Sequence, residues 1–191
     1  FNPKWETTGP VETLMCAPLE PHLDYYVVYA DVVFGRDVVK RMSEVPGDIV
    51  VAIDTNWRDR YERRMQDDLA DAEKILHQEG RILSASRDLS VLEASAEYAG
   101  VSLFRGVAAE FVAGLKQDAA GAVTRMDFPE LIQAAIDSKL VVNFVDVRGD
   151  WAELNAPQDL ARFVLGTKAE TLERLAPLVR TCEINDFLTI T

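Results

Sequence analysis

The chain has 191 residues, 48% of them apolar, and a formal charge of −12. That is enough apolar content for a folded core, and the wrong sign for nucleic-acid or membrane-surface partners, which select clustered Lys and Arg. The two cysteines, Cys16 and Cys182, stand far apart with no CxxC spacing, which fits a reducing cytoplasm. No signal peptide is evident, and no apolar run reaches the roughly 18 residues of a membrane span.

The chain opens on Phe1 and not on Met, which reads as a cut product or as one domain of a longer chain. Residues 1–10 are loop-like, punctuated by Pro3, Gly9 and Pro10. Val11, Leu14, Met15 and Ala17 recur at helical spacing until Pro18 and Pro21 end the run. From Tyr25 to Phe34 an almost unbroken β-branched and aromatic run predicts a strand buried on both faces, of the kind found in parallel sheets, interrupted by one carboxylate, Asp31. An amphipathic helix follows over 36–45, stopped by Pro46-Gly47. A second apolar run over 48–54 again closes on a carboxylate, Asp54, and the two strands with the helix between them predict a βαβ unit.

Residues 57–78 are highly charged and predict a partly helical surface excursion outside the core. Residues 81–86, 89–94, 96–104 and 141–147 read as strands, and 107–116 and 128–138 as helices, with Pro129 in the first turn of the latter. The stretch 119–122 reads as a flexible break. Residues 151–157 form a turn leading to a helix over 158–165. The resulting class is α/β: a Rossmann-like mixed, mostly parallel sheet with helices on both faces.

Acids placed at strand ends carry the chemical interest, because ligands of open α/β sheets bind in the crevice at the strands' carboxyl ends. An ionised carboxylate there requires a cation. Asp31 is the leading candidate; the competing reading is a cap for the helix starting near Arg36, a role Asp37 fits about as well. Asp54 is either a substrate contact or the start of a simple turn, and Glu97 is either a site residue or a solvated strand end. Alternation places Glu153 and Asn155 on one side of an extended segment, offering oxygens suited to Mg2+, which needs only one or two carboxylates when phosphates supply its other ligands. Trp57, Tyr61, Tyr98 and Trp151 are aromatics that either line a pocket for a cationic head group or fill the core. His22 and His77 are too isolated for a zinc site.

In order, the segments Asn2-Pro3-Lys4-Trp5-Glu6-Thr7-Thr8, Tyr29-Ala30-Asp31-Val32-Val33-Phe34, Ala52-Ile53-Asp54 with Trp57 and Tyr61, Glu97-Tyr98-Ala99-Gly100, and Arg148-Gly149-Asp150-Trp151-Ala152-Glu153-Leu154-Asn155 resemble the nucleotidyltransferase domains that accompany phosphoenolpyruvate mutase. They also resemble the phosphocholine cytidylyltransferases of the sugar-nucleotidyltransferase superfamily. The resemblance covers residues 1–165 and implies the nucleotide-diphospho-sugar transferase type of fold with its N-terminal strands missing.

It further implies transfer of a nucleotidyl group from CTP, or another nucleoside triphosphate, to a phosphonate or phosphate monoester with release of pyrophosphate. The partner is then a small phosphorylated or phosphonate substrate and the cofactor is Mg2+. Asp31 becomes the catalytic acid and first metal ligand, with Glu153, Asn155 or both as the second, since some relatives carry Asp at the position of Asn155. Thr7 and Thr8 become nucleotide contacts, and Asp54, Trp57, Tyr61, Glu97, Tyr98 and Trp151 become substrate contacts.

The family's Gly-rich nucleotide loop has no counterpart ahead of Asp31, so the resemblance predicts that these residues alone are inactive or belong to a longer multidomain chain. Leu165-Gly166-Thr167-Lys168-Ala169-Glu170-Thr171-Leu172 is similar to the start of the ATP-binding domain of phosphoenolpyruvate synthase-type enzymes. This suggests that 166–191 open a further module, an ATP-grasp-like one. Three other readings stay open: a sugar-phosphate acceptor, a non-catalytic binding or assembly module, and an unrelated α/β protein whose acids are only caps.

Overall fold

A computed structural model describes residues 1–20, 22–61, 69–118 and 124–154. The expected break at 119–122, the helix over 158–165, the module over 166–191 and Asn155 lie outside the described residues. The elements are α1 (Pro10–Met15), β1 (Tyr25–Val28), β2 (Val32–Phe34), α2 (Val38–Glu44), β3 (Ile49–Asp54), β4 (Lys74–Gln78), β5 (Arg81–Ala85), β6 (Ala96–Phe104), α3 (Gly106–Asp118), α4 (Phe128–Asp137), β7 (Val142–Asp146) and β8 (Trp151–Glu153). Six strands form the main sheet in the order β1-β6-β3-β7-β5-β4, and β2 pairs with β8 in a separate two-stranded ribbon.

The continuous apolar runs become the centre of the molecule. Every residue of β3 and of β6 is buried, as strands covered on both faces require. Their alternation sorts the core into two layers. Ile49, Val51 and Ile53 join Val11 of α1, Ala108 and Val112 of α3, and Leu131 and Ile132 of α4. Val50 and Ala52 face the opposite layer with Val38 and Met42 of α2 and with Trp151. Helices thus cover both faces, and the fold is the mixed α/β class expected.

Several details depart from the sequence-based expectations. Parallel pairing is scarcer than the apolar runs predict: β3 and β7 run parallel, and the other described pairs are antiparallel. The βαβ unit is correspondingly opened, because β6 lies between β1 and β3 and pairs antiparallel with both.

The predicted strand over 25–34 is two short strands. Β-branched content predicted burial on both faces, yet β1 ends the described sheet order and exposes alternate residues, Tyr26 and Val28 at about 40%. The chain leaves the sheet after Tyr29, and β2 then turns to β8.

The described parts of the charged stretch 57–78, residues 57–61 and 69–78, are not a surface excursion. Trp57 is wholly buried with Ala72 and Ala94, and residues 74–78 form β4. The misleading signal is Lys74, which is buried because its ammonium donates to the carbonyls of Ala70 (2.6 Å) and Ala72 (3.2 Å). Residues 89–94 are turns and not a strand, set by Ser90, whose carbonyl accepts from Glu93 and Ala94.

Candidate active site

An open cleft of about 950 Å3 lies beside the N-terminal half of β6, where β1 ends and the β2–β8 ribbon begins. Asp31, Glu97, Tyr98, Trp151, Glu153 and Tyr61 line it together with Tyr29, Glu73, Arg87 and Asp127. The two regions expected to hold a metal are joined at the backbone: the Leu154 amide donates to the Asp31 carbonyl at 2.7 Å, continuing the antiparallel register in which Val32 opposes Glu153. Asp31, in the turn before β2, is exposed and Glu153 of β8 is half-buried, and both line the cleft. Asp31 caps no helix. Asp37 is the N-cap residue of α2 but makes no side-chain cap bond; it pairs instead with Arg41 at 3.5 Å.

A bulge makes room for this arrangement. The β3–β6 register shifts between Val51 and Ile53, and nearby Gly100 adopts φ +72°, a left-handed conformation that glycine reaches without strain. Its carbonyl accepts from the Tyr29 amide at 2.9 Å. A Cβ on Gly100 would lie 2.9 Å from Tyr29 Cδ2 and from Val32 Cγ2, so the residues flanking Asp31 sit directly on this glycine.

The other expected site residues divide. Glu97 is buried and accepts from the Tyr61 hydroxyl at 2.5 Å. Tyr98 is also buried; its hydroxyl bonds Ser102 at 2.8 Å and its ring stacks on Phe128. Trp151 lines the cleft, and its indole nitrogen donates to Asp54 Oδ2 at 2.8 Å.

Asp54 itself is wholly buried and does not reach the cleft. It accepts from the amides of Asn56 and Gly149, both at 2.9 Å, as well as from Trp151, and so joins the turn after β3 to the turn before β8. The substrate contact expected of Asp54 is therefore replaced by a structural one. Trp57 likewise has no surface to offer a substrate: it is 0% exposed, with Arg58 over its ring. Thr7 and Thr8 do not line the cleft. Both hydroxyls donate to the Lys4 carbonyl, and Thr8 accepts from Asn2 at 2.8 Å, folding the N-terminal loop on itself.

Sequence reasoning missed the cluster opposite Asp31. Glu73, 9% exposed, receives the Tyr29 hydroxyl at 3.1 Å on each oxygen. Arg87 bridges Glu73 and Asp127, the latter at 2.9 Å. Burial pushes the Glu73 carboxyl up to about 7, against the opposing pull of Arg87. Asp127 also closes a capping box with Glu130 at the start of α4, and the Asp-x-x-Glu spacing was the one local signal that could have found it. Glu73 and Arg87, brought together only by the β4–β5 hairpin, left no motif.

The donor set fits Mg2+. Among the described residues no three His, Cys, Asp or Glu side chains converge as a protein-built metal cage, whereas two carboxylates on an open cleft match an ion that takes its remaining ligands from phosphates and water. The cleft's described lining carries six carboxylates, Asp31, Asp71, Glu73, Glu97, Asp127 and Glu153, against one guanidinium, Arg87. Such a field attracts cations.

Solved structures of several nucleotidyl-transferring enzymes share this fold. Over 83% of its length the chain superposes on 60% of the inositol-1-phosphate CTP transferase of T. maritima, with a TM-score of 0.61 and 20% identity. It covers 63% of a glucose-1-phosphate thymidylyltransferase from Bacillus anthracis (85% of this chain, TM-score 0.64, 14% identity). It covers 65% of the CTP:phosphocholine cytidylyltransferase of Streptococcus pneumoniae (85% of this chain, TM-score 0.54, 14% identity). The chain thus spans less than two thirds of each of these solved chains.

In sequence, an alignment covering 84% of this chain and 69% of the CTP:phosphoglutamine cytidylyltransferase of Campylobacter jejuni is 24% identical. No family model matches the chain. The relative by sequence and two of these solved chains are cytidylyl or CTP transferases by name.

Proposed function

We propose that this chain is a Mg2+-dependent nucleotidyltransferase domain, a cytidylyltransferase, that activates a small phosphonate or phosphocholine-like acceptor at the Asp31–Glu153 cleft. One observation carries the reading: Asp31 and Glu153 line a single cavity, and the backbones of Asp31 and Leu154 are joined there by a bond of 2.7 Å. The curated relative acts with CTP by its name, which supports the nucleotide.

In the reaction, an oxygen of the acceptor's phosphate or phosphonate attacks the α-phosphorus of CTP. A new P–O bond forms, the α–β P–O bond breaks, and pyrophosphate leaves with the electron pair. Asp31 and Glu153, with Asn155 as a further oxygen donor, would hold the metal; when bound, Mg2+ neutralises the α-phosphate and the leaving group. The protein's own part is positioning and exclusion of water. Tyr61, Tyr98 and Trp151 wall the cleft, and the carboxylate excess around them favours an acceptor that carries an amine or quaternary ammonium beside its phosphate.

A sugar-phosphate acceptor is the second reading, favoured by the fold likeness to the thymidylyltransferase. A non-catalytic module is the third, favoured by Asn155 where some relatives carry Asp. The resemblance of residues 165–172 supports a place within a longer multidomain chain. The two widely spaced cysteines support a reducing cytoplasm, and no helix among the described residues is long and apolar enough to cross a membrane.

The test is Mg2+-dependent pyrophosphate release from CTP by the full-length source polypeptide, run against phosphocholine, 2-aminoethylphosphonate, phosphoglutamine and glucose 1-phosphate. The reading expects turnover with an amine-bearing acceptor and a loss of at least about a hundred-fold in Asp31→Asn. Turnover only with the sugar phosphate supports the second reading. Absence of any metal-dependent nucleotide heat in calorimetry supports the third.

A further inference from the structure

Two aromatic side chains stand in the same relation to the two carboxylates of the cleft. Tyr29 lies two residues before Asp31, and Trp151 lies two residues before Glu153. Each has its polar tip held by a buried carboxylate from elsewhere in the fold: the Tyr29 hydroxyl by Glu73, at 3.1 Å to both oxygens, and the Trp151 indole by Asp54, at 2.8 Å. Each aromatic is also fixed through its backbone. The Tyr29 amide donates to Gly100 at 2.9 Å, and Trp151 opposes Phe34 in the β2–β8 ribbon.

We infer that Glu73 and Asp54 are paired positioning residues, which set the separation of Asp31 and Glu153 by anchoring the aromatic residue ahead of each. The inference rests on the nucleotidyltransferase reading of the cleft.

The physical reason lies in what the two ligands lack. Asp31 is exposed, at a point where the chain leaves one sheet for another, and Glu153 ends a three-residue strand. Neither position is rigid by virtue of a long ladder. A buried carboxylate fixes what it binds, because leaving either partner unsatisfied in the interior is costly. Asp54 takes three N–H donors and Glu73 takes the hydroxyl plus the Arg87 guanidinium, so both anchors are themselves held. Outer groups that orient metal ligands commonly change metal affinity by about 10–100-fold when removed.

Tb3+, an oxygen-seeking stand-in for the hard divalent ion, is titrated into the chain and followed by directly excited lanthanide luminescence, so that the readout needs neither substrate nor an intact Trp151. Asp31→Asn is the control for the underlying reading and is expected to abolish the tightest binding. If Tb3+ binds the wild type with no dependence on Asp31, or does not bind at all, the metal site is wrong and this inference falls with it.

Given that control, Asp54→Asn and Glu73→Gln, measured on protein with unchanged near-ultraviolet circular dichroism, are expected to weaken Tb3+ about ten-fold or more. Trp151→Phe takes the place of Asp54→Asn should the latter fail to fold. Tyr29→Phe is expected to weaken binding as much as Glu73→Gln, and the double variant no more than either alone. Folded variants that bind Tb3+ as the wild type does, while Asp31→Asn does not, overturn the inference and leave the site reading intact.

Discussion

The amide of Leu154 donates to the carbonyl of Asp31 at 2.7 Å across 123 positions of sequence. Through this bond the start of β2 and the end of β8 share a wall of the same cleft. Leu154→Pro removes the donor without adding a charge, whereas Leu154→Ala keeps it. The proline variant is expected to lose roughly 10–100-fold in metal affinity at a stability cost of about 1 kcal/mol, read by Tb3+ titration and urea melts, with the alanine variant near wild type in affinity.

Gly100 supports Asp31 from beneath. Its φ of +72° and the 2.9 Å approach of Tyr29 and Val32 leave no space for a methyl group. Gly100→Ala is expected to destabilise the fold by about 2–4 kcal/mol, the left-handed backbone and the overpacking each contributing. Thermal and urea melts check it. The residual folded protein should also bind metal more weakly, since the displaced groups flank the acid.

Trp57 separates packing from binding. Fully buried against Ala72 and Ala94, it should cost about 3–5 kcal/mol when cut to alanine. The KM values for nucleotide and acceptor, measured on the fraction that remains folded, should be unchanged. A selective rise in acceptor KM at unchanged stability would return Trp57 to the cleft.

Glu73 makes stability depend on pH in a particular direction. Burial raises its carboxyl from 4.5 to about 7 in the folded chain, so between those values the native state holds a proton that the unfolded state has released. Stability from this group is fully present below about 4.5 and is lost as pH rises through about 7, by about 3 kcal/mol in all. Glu73→Gln cannot titrate. Urea melts at pH 5 and pH 7.5 should therefore show the wild type losing stability relative to the variant as pH rises; a constant difference would contradict the assignment.

The sheet core was legible because β3 and β6 are continuous apolar runs, and continuity means burial on two faces. The same rule failed at 25–34. Tyr26 and Val28 are equally apolar there, but no sequence signal tells an edge strand that leaves half its side chains in water from a central one. Asp31 and Glu153, singled out through the ordered motifs, line one cleft although they lie far apart in sequence.

Asp54 stayed open between a substrate contact and a turn because a buried acid and a ligand-binding acid look alike at a strand end. Only the fold shows Gly149 and Trp151 supplying its donors. The β4 strand was hidden by Lys74, whose burial depends on two carbonyls contributed by the preceding turn. Glu73, Arg87 and Asp127 come from three separate segments, and long-range pairing of that kind leaves nothing periodic to read.

The central claim is that Asp31 and Glu153 together receive a divalent ion. Diffraction from crystals of the protein soaked in MnCl2, recorded near the manganese absorption edge, tests it without substrate or turnover. The account predicts the strongest anomalous peak between the two carboxylates, absent in Asp31→Asn; a wild-type map with no peak there, or with its strongest peak elsewhere, contradicts it.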